Sequence, residues 1–140
     1  MSALLRILQA HPRRESKVHV EALADCADAC YDCAASCVAC ADACLAMDDV
    51  KPFTRCISIN QDCADICFTT GKLLSRQTEL DWVVLRGQLS ACSSACLACA
   101  DECDRHAANH PHCAACAQAC RRCEEACSSL LLAVPSYEAA

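Results

Sequence analysis

Six cysteines, Cys26, Cys30, Cys33, Cys37, Cys40 and Cys44, stand in the run CADACYDCAASCVACADAC. Their steps of 4, 3, 4, 3 and 4 put all six on one stripe of an α-helix. Three more stripes follow: Cys56, Cys63 and Cys67; Cys92, Cys96, Cys99 and Cys103; and Cys113, Cys116, Cys120, Cys123 and Cys127. The second stripe passes through Asn60, where a fourth cysteine is expected. All 18 cysteines of the 140-residue chain fall on these stripes. Columns of thiols bind soft metals or carry redox chemistry.

Disulfides fit the spacing poorly. Helical neighbours three or four residues apart have Cβ atoms ~5–6 Å apart, whereas a disulfide needs ~3.8 Å. Bridges between helices would not need an unbroken column. A metal fits better, because two metal–sulfur bonds of ~2.3 Å reach across ~4.6 Å. Zinc wants four ligands of its own, so 18 thiols would serve about four separate ions. Iron–sulfur clusters use runs such as C-x2-C-x2-C-x3-C-P, which is absent. Cu(I) shares two or three thiolates with neighbouring ions, and a continuous column suits that. One monovalent ion per thiolate also cancels a charge that would be prohibitive in an apolar core. A zinc or iron–sulfur protein with a redox or electron-transfer role remains the alternative. A thiol-based sensor would need exposed, acidic cysteines, and an inward column argues against it.

Four helices must position these stripes. The first is expected from about Lys17 to Met47, free of Pro and Gly and rich in Ala. Its stripe extends back through Leu23 and His19. After Asp48 and Asp49, the second begins near Pro52, a residue suited to a first turn. It continues through Thr70 and Leu74 and contains Gly71, which leaves room for a large neighbour. Arg76 and Gln77 make a tight link. Thr78, with Glu79 and Asp81 behind it, is the expected start of the third helix, which runs to about Ala108. Pro111 opens the fourth, and Pro135 ends it after Leu130 and Val134. Short links make neighbouring helices antiparallel. The expected fold is an all-α antiparallel four-helix bundle over about 17–134, with a cysteine-lined core. A short N-terminal helix over about 2–10 carries Leu4, Leu5, Ile7 and Leu8. The whole chain, 1–140, reads as one domain, and its last residues, SYEAA, as a loose tail.

Leu, Ile, Val and Phe supply only about 27 residues, a thin core for a chain of this length. The net charge is −6 and the pI about 5.2, which suits neither nucleic acid nor an anionic membrane surface. The N-terminus has a short apolar run followed by arginines, the wrong order for a signal peptide. No stretch reads as the ~20 apolar residues of a membrane helix. A cytoplasmic location is expected, where thiols stay reduced. No catalytic triad, carboxylate pair or phosphate loop is present, so no enzyme activity is expected.

The repeats CADACYDCAASCVACADAC, CISINQDCADIC, CSSACLACADEC and CAACAQACRRC resemble those of the bacterial copper storage protein family, in its cytosolic branch. The resemblance spans most of the chain. It implies multiple Cu(I) ions held by the cysteines and a homotetramer of bundles. It also implies that Asn60 lends an oxygen to one ion.

Antiparallel helices sort the stripe residues by end. Leu23, Leu74, Leu85, Leu89, Leu130 and Val134, with Trp82, should close one end, and Gly71 is expected to accept the Trp82 indole. Cys44, Met47, Cys103, His106, His110 and Cys113 gather at the other. His and Met are copper ligands, so copper is expected to pass in and out there, with His106 and His110 as further metal sites. His112 sits off the stripe beside Cys113 and carries little weight. His11 and His19 are given no role.

Overall fold

The computed structural model describes residues 2–14 and 17–135. Met1 and the expected loose tail at 136–140 lie outside the described residues. Among those residues are a short helix α1 (Ala3–Gln9) and four long ones: α2 (Val20–Leu45), α3 (Thr54–Leu74), α4 (Trp82–Asp104) and α5 (Pro111–Ala133). A single 3-10 turn, Lys51–Phe53, precedes α3.

Local chemistry sets the helix ends. Ser2 caps α1 by accepting from the Leu5 N–H at 3.1 Å. Asp49 accepts from the Lys51 N–H at 3.2 Å and fixes the approach to α3. Pro111 occupies the first turn of α5, as its missing N–H allows. The start of α4 departs from expectation. Asp81, not Thr78, is its cap, accepting from the Val84 N–H at 3.1 Å. The helix therefore begins at Trp82, and the link from α3 is longer than an Arg76–Gln77 corner. α4 also ends earlier than Ala108, at Asp104, and the residues after it form turns leading to His110.

Each long helix packs on two neighbours: α2 on α3 and α5, and α4 on α3 and α5. Cross-helix pairs run in opposite senses. Cys26 meets Cys127 and Cys37 meets Cys120 between α2 and α5. Cys67 meets Cys92 and Cys56 meets Cys103 between α3 and α4. Tyr31 on α2 meets Ser75 just past α3, while Cys40 meets Asn60. Ser93 on α4 meets Ser128 on α5. The bundle is antiparallel throughout.

One end is plugged by Leu23, Leu74, Leu85, Leu89, Leu130, Val134 and Trp82, all buried. Each buried leucine contributes about 1.5–3 kcal/mol. Buried alanines on the flanks, such as Ala27, Ala34 and Ala100, add to this apolar packing. α1 covers the side of α2, with Leu8 packed on Val20 and Ala24. Two details of the closed end correct the sequence reading. His19 is exposed, and Val20 is buried beside it. Gly71 accepts the ring of Tyr31, not the Trp82 indole. A Cβ at position 71 would stand 2.9 Å from that ring. Tyr31 is held there by its hydroxyl, 3.0 Å from Ser75 Oγ.

α4 is long and apolar enough by composition to cross a membrane, with a window of mean hydropathy 1.3, which the sequence reading did not anticipate. Leu85, Leu89, Cys92, Cys96, Cys99 and Ala100 turn part of that apolarity into the core, whereas Val83, Val84 and Leu97 are exposed.

Candidate metal centre

Every one of the 18 cysteines is buried, and all are free thiols. The 3-4 spacing carries this through: a helical stripe turned inward exposes none of its members. Cys40, at 3% exposure, is the most accessible.

From the plugged end the sulfurs form a continuous column. Cys127 lies 3.8 Å from Cys26 and 3.9 Å from Cys30. Cys123 then links Cys30 at 3.7 Å with Cys67 at 4.0 Å. Cys67 is 3.5 Å from Cys96 and 3.7 Å from Cys63. Cys120 bridges Cys33 and Cys37, at 3.7 Å from each. Cys37 also reaches Cys99 and Cys116, both at 3.8 Å. Three sulfurs around one ion at ~2.3 Å would stand ~4.0 Å apart, so little movement is needed to enclose ions.

Asn60 interrupts the sulfurs where the second stripe lacks a cysteine. Its Oδ1 accepts from Cys99 and Cys116, each at 3.1 Å. Its Nδ2 donates to the Cys56 carbonyl at 2.9 Å and approaches Cys56 Sγ at 3.3 Å. The carboxamide is fully buried and fully used.

Groups of four sulfurs lie within 4.8 Å of one another, including Cys33–Cys63–Cys67–Cys96, Cys33–Cys37–Cys63–Cys120 and Cys37–Cys99–Cys116–Cys120. The groups overlap, because Cys33, Cys37, Cys63 and Cys120 each belong to two. Separate tetrahedral zinc sites need four thiolates each. These groups cannot all be filled that way, whereas bridging thiolates can serve adjacent monovalent ions.

Protons are shared unevenly along the column. Hydrogen bonds from Cys127 and Cys30 bring Cys26 down to about 5. Bonds from Cys103 and Cys40 bring Cys56 to about 3. Cys37 is held as a thiol by its bonds to Cys116 and Cys120, and Cys30 by its bond to Cys123. At Cys113 and Cys44, at the open end, burial dominates. It pushes Cys113 up to about 12 and raises Cys44 as well.

That open end gathers Cys40, Cys44, Cys56 and Cys113 in one group. His106 and His110 are there, both against Phe53, at ring distances of 4.8 and 4.9 Å. Met47 is half-buried against the core. His112 also stands against a thiol, with Nε2 3.5 Å from Cys44 Sγ. As the neighbour of Cys113 it is expected off the stripe. Counting back four from Cys116 puts it on the inward face. Asp62 and Asp65, beside Cys63, are exposed.

The profile of a family described as copper storage protein matches residues 19–132. A solved structure of the Streptomyces lividans copper storage protein Ccsp, loaded with 10 copper equivalents, is 46% identical. It superposes with a TM-score of 0.89, covering 94% of this chain and 100% of that one. A structure of copper loading to a cytosolic copper storage protein from the same organism, with five coppers, is 50% identical. Its TM-score is 0.81, over 83% of this chain and 97% of that one. Cu(I)-bound copper storage protein BsCsp3 is 36% identical, with a TM-score of 0.67 over 76% of this chain and 94% of its own. By profile and by likeness of fold and sequence, this chain belongs to the copper storage protein family.

Proposed function

We propose that this protein stores and buffers Cu(I) in the cytosol, as cargo held by the thiolates of its core at roughly one ion per thiolate. The observation that carries this reading is the column of 18 buried sulfurs, interrupted at Asn60, whose central groups overlap. Each arriving Cu(I) offsets the charge of one thiolate, so negative charge does not build up in the core as it fills. A redox or electron-transfer role would call for a few discrete centres.

All 18 cysteines are the proposed ligands, with the Asn60 oxygen added in mid-column. Copper exchanges at the end that carries His106, His110 and His112, because bulky apolar side chains occupy the other end. The protein works as a store and not as an enzyme, and the chain 1–140 acts as one domain. A homotetramer is supported by family resemblance, and the cytosolic setting by the Streptomyces relative described as cytosolic.

The test is an anaerobic titration of the reduced apo protein with Cu(I), following thiolate-to-metal absorbance against a competing chelator. A break near one Cu(I) per cysteine supports the filled column. A break near one metal per three or four cysteines, or displacement of Cu(I) by zinc, overturns it.

A further inference from the structure

Glu102 is a carboxylate buried in the wall of the open end, at 5% exposure. Burying a charge is costly unless it is paired. Two arginines pair it from outside while remaining largely in water. Arg55, in the first turn of α3, places Nε 3.3 Å from Oε1. Arg105, just past α4, places a guanidinium nitrogen 3.5 Å from the same oxygen. The other oxygen, Oε2, lies 3.1 Å from Nε2 of His106. Thus one carboxylate oxygen serves the arginines and the other serves the imidazole.

We infer that Glu102 is a positioning residue for copper exchange, holding His106 through Nε2–H so that Nδ1 is the nitrogen offered to Cu(I). A neutral imidazole that donates one N–H keeps its lone pair on the other nitrogen. Histidines that bind metals commonly give their second N–H to a carboxylate, which fixes both tautomer and ring orientation. Phe53 adds a second restraint. Its ring lies 4.8 Å from that of His106 at an interplanar angle of 34°, limiting rotation about the Glu102 hydrogen bond. His106 lies beyond the last residue of α4, in a turn where the helix no longer orients it. The carboxylate and the phenyl ring supply that constraint. This inference rests on the proposed exchange route at the His106 end.

The test uses full-length reduced apo protein. Long-range 1H–15N spectra of 15N-labelled protein report which ring nitrogen of His106 carries the proton. The expected native state is the Nε2–H tautomer, and Glu102→Ala should give a mixture. Stopped-flow uptake of Cu(I) should slow about ten-fold in Glu102→Ala, the lower range for losing such a partner. Glu102→Gln preserves volume and an accepting oxygen, and should recover most of the rate. In a His106→Ala background, Glu102→Ala should add nothing. An unchanged rate or tautomer in Glu102→Ala overturns the inference, and so does equal slowing in the His106→Ala background or by Glu102→Gln. A His106→Ala protein that loads at the native rate removes the exchange route itself, and the inference falls with it. Slow loading by His106→Ala with native loading by Glu102→Ala removes the Glu102 role alone.

Discussion

Nε2 of His112 stands 3.5 Å from Sγ of Cys44, the last thiol of the α2 stripe and part of the open-end group. An imidazole in that position can take Cu(I) from solution and pass it to the first thiolates. His106→Ala and His112→Ala are each expected to slow copper uptake and its removal by a chelator, with capacity nearly unchanged. Stopped-flow absorbance and chelator competition measure both rates. Native rates in both variants would count against exchange at this end.

Asn60 satisfies two thiols through one oxygen, so its loss leaves buried donors unpaired. Asn60→Ala should destabilise the reduced apo protein by about 1–3 kcal/mol. Urea unfolding followed by far-UV circular dichroism reads this directly. Asn60→Cys restores the missing member of the second stripe, and the titration break should rise by about one Cu(I), the capacity of one added thiolate. A lower capacity would show that the carboxamide is needed to space the ions.

The two glycines should respond differently to alanine. Gly87 is exposed on α4, with nothing near the site of an added Cβ. Gly87→Ala should therefore raise stability by about 0.5–1 kcal/mol through helix propensity. At Gly71 the same gain is opposed, because the added carbon meets the Tyr31 ring at 2.9 Å. That ring is anchored by Ser75 and must shift. Gly71→Ala should show no gain, or a loss, in thermal unfolding of the apo form. An equal rise in both variants would mean that Tyr31 yields freely.

Burial raises Cys44, and pushes Cys113 up to about 12. Both groups are therefore thiols near neutral pH and must release a proton to bind copper. Protons compete with Cu(I), so open-end affinity should fall as pH drops and rise as pH climbs. For each proton displaced, apparent affinity should change about ten-fold per pH unit below the thiol pKa. Competition titrations at several pH values check the slope. A flat profile would show that these thiols are already ionised before copper arrives.

The cysteine spacing alone determined the helices, their inward faces and the thiol column. A 3-4 stripe has one way to be buried, and short links leave antiparallel packing as the simple outcome. Pro111 marked its helix start because a proline lacks the N–H that a first turn leaves unused. Asn60 was legible as the gap in a regular series. The sequence could not decide what depends on side chains from different helices. Thr78, with Glu79 and Asp81 behind it, was the expected start, and the packed link makes Asp81 the cap instead. Gly71 announced a large neighbour, but the helix pairing identified it as Tyr31 and not Trp82. The contact of His112 with Cys44 joins residues 68 positions apart, across α2 and α5. The Glu102 network joins α3 to the turn after α4. Periodicity describes one helix at a time, and the environment of the open end is set by how several helix ends meet.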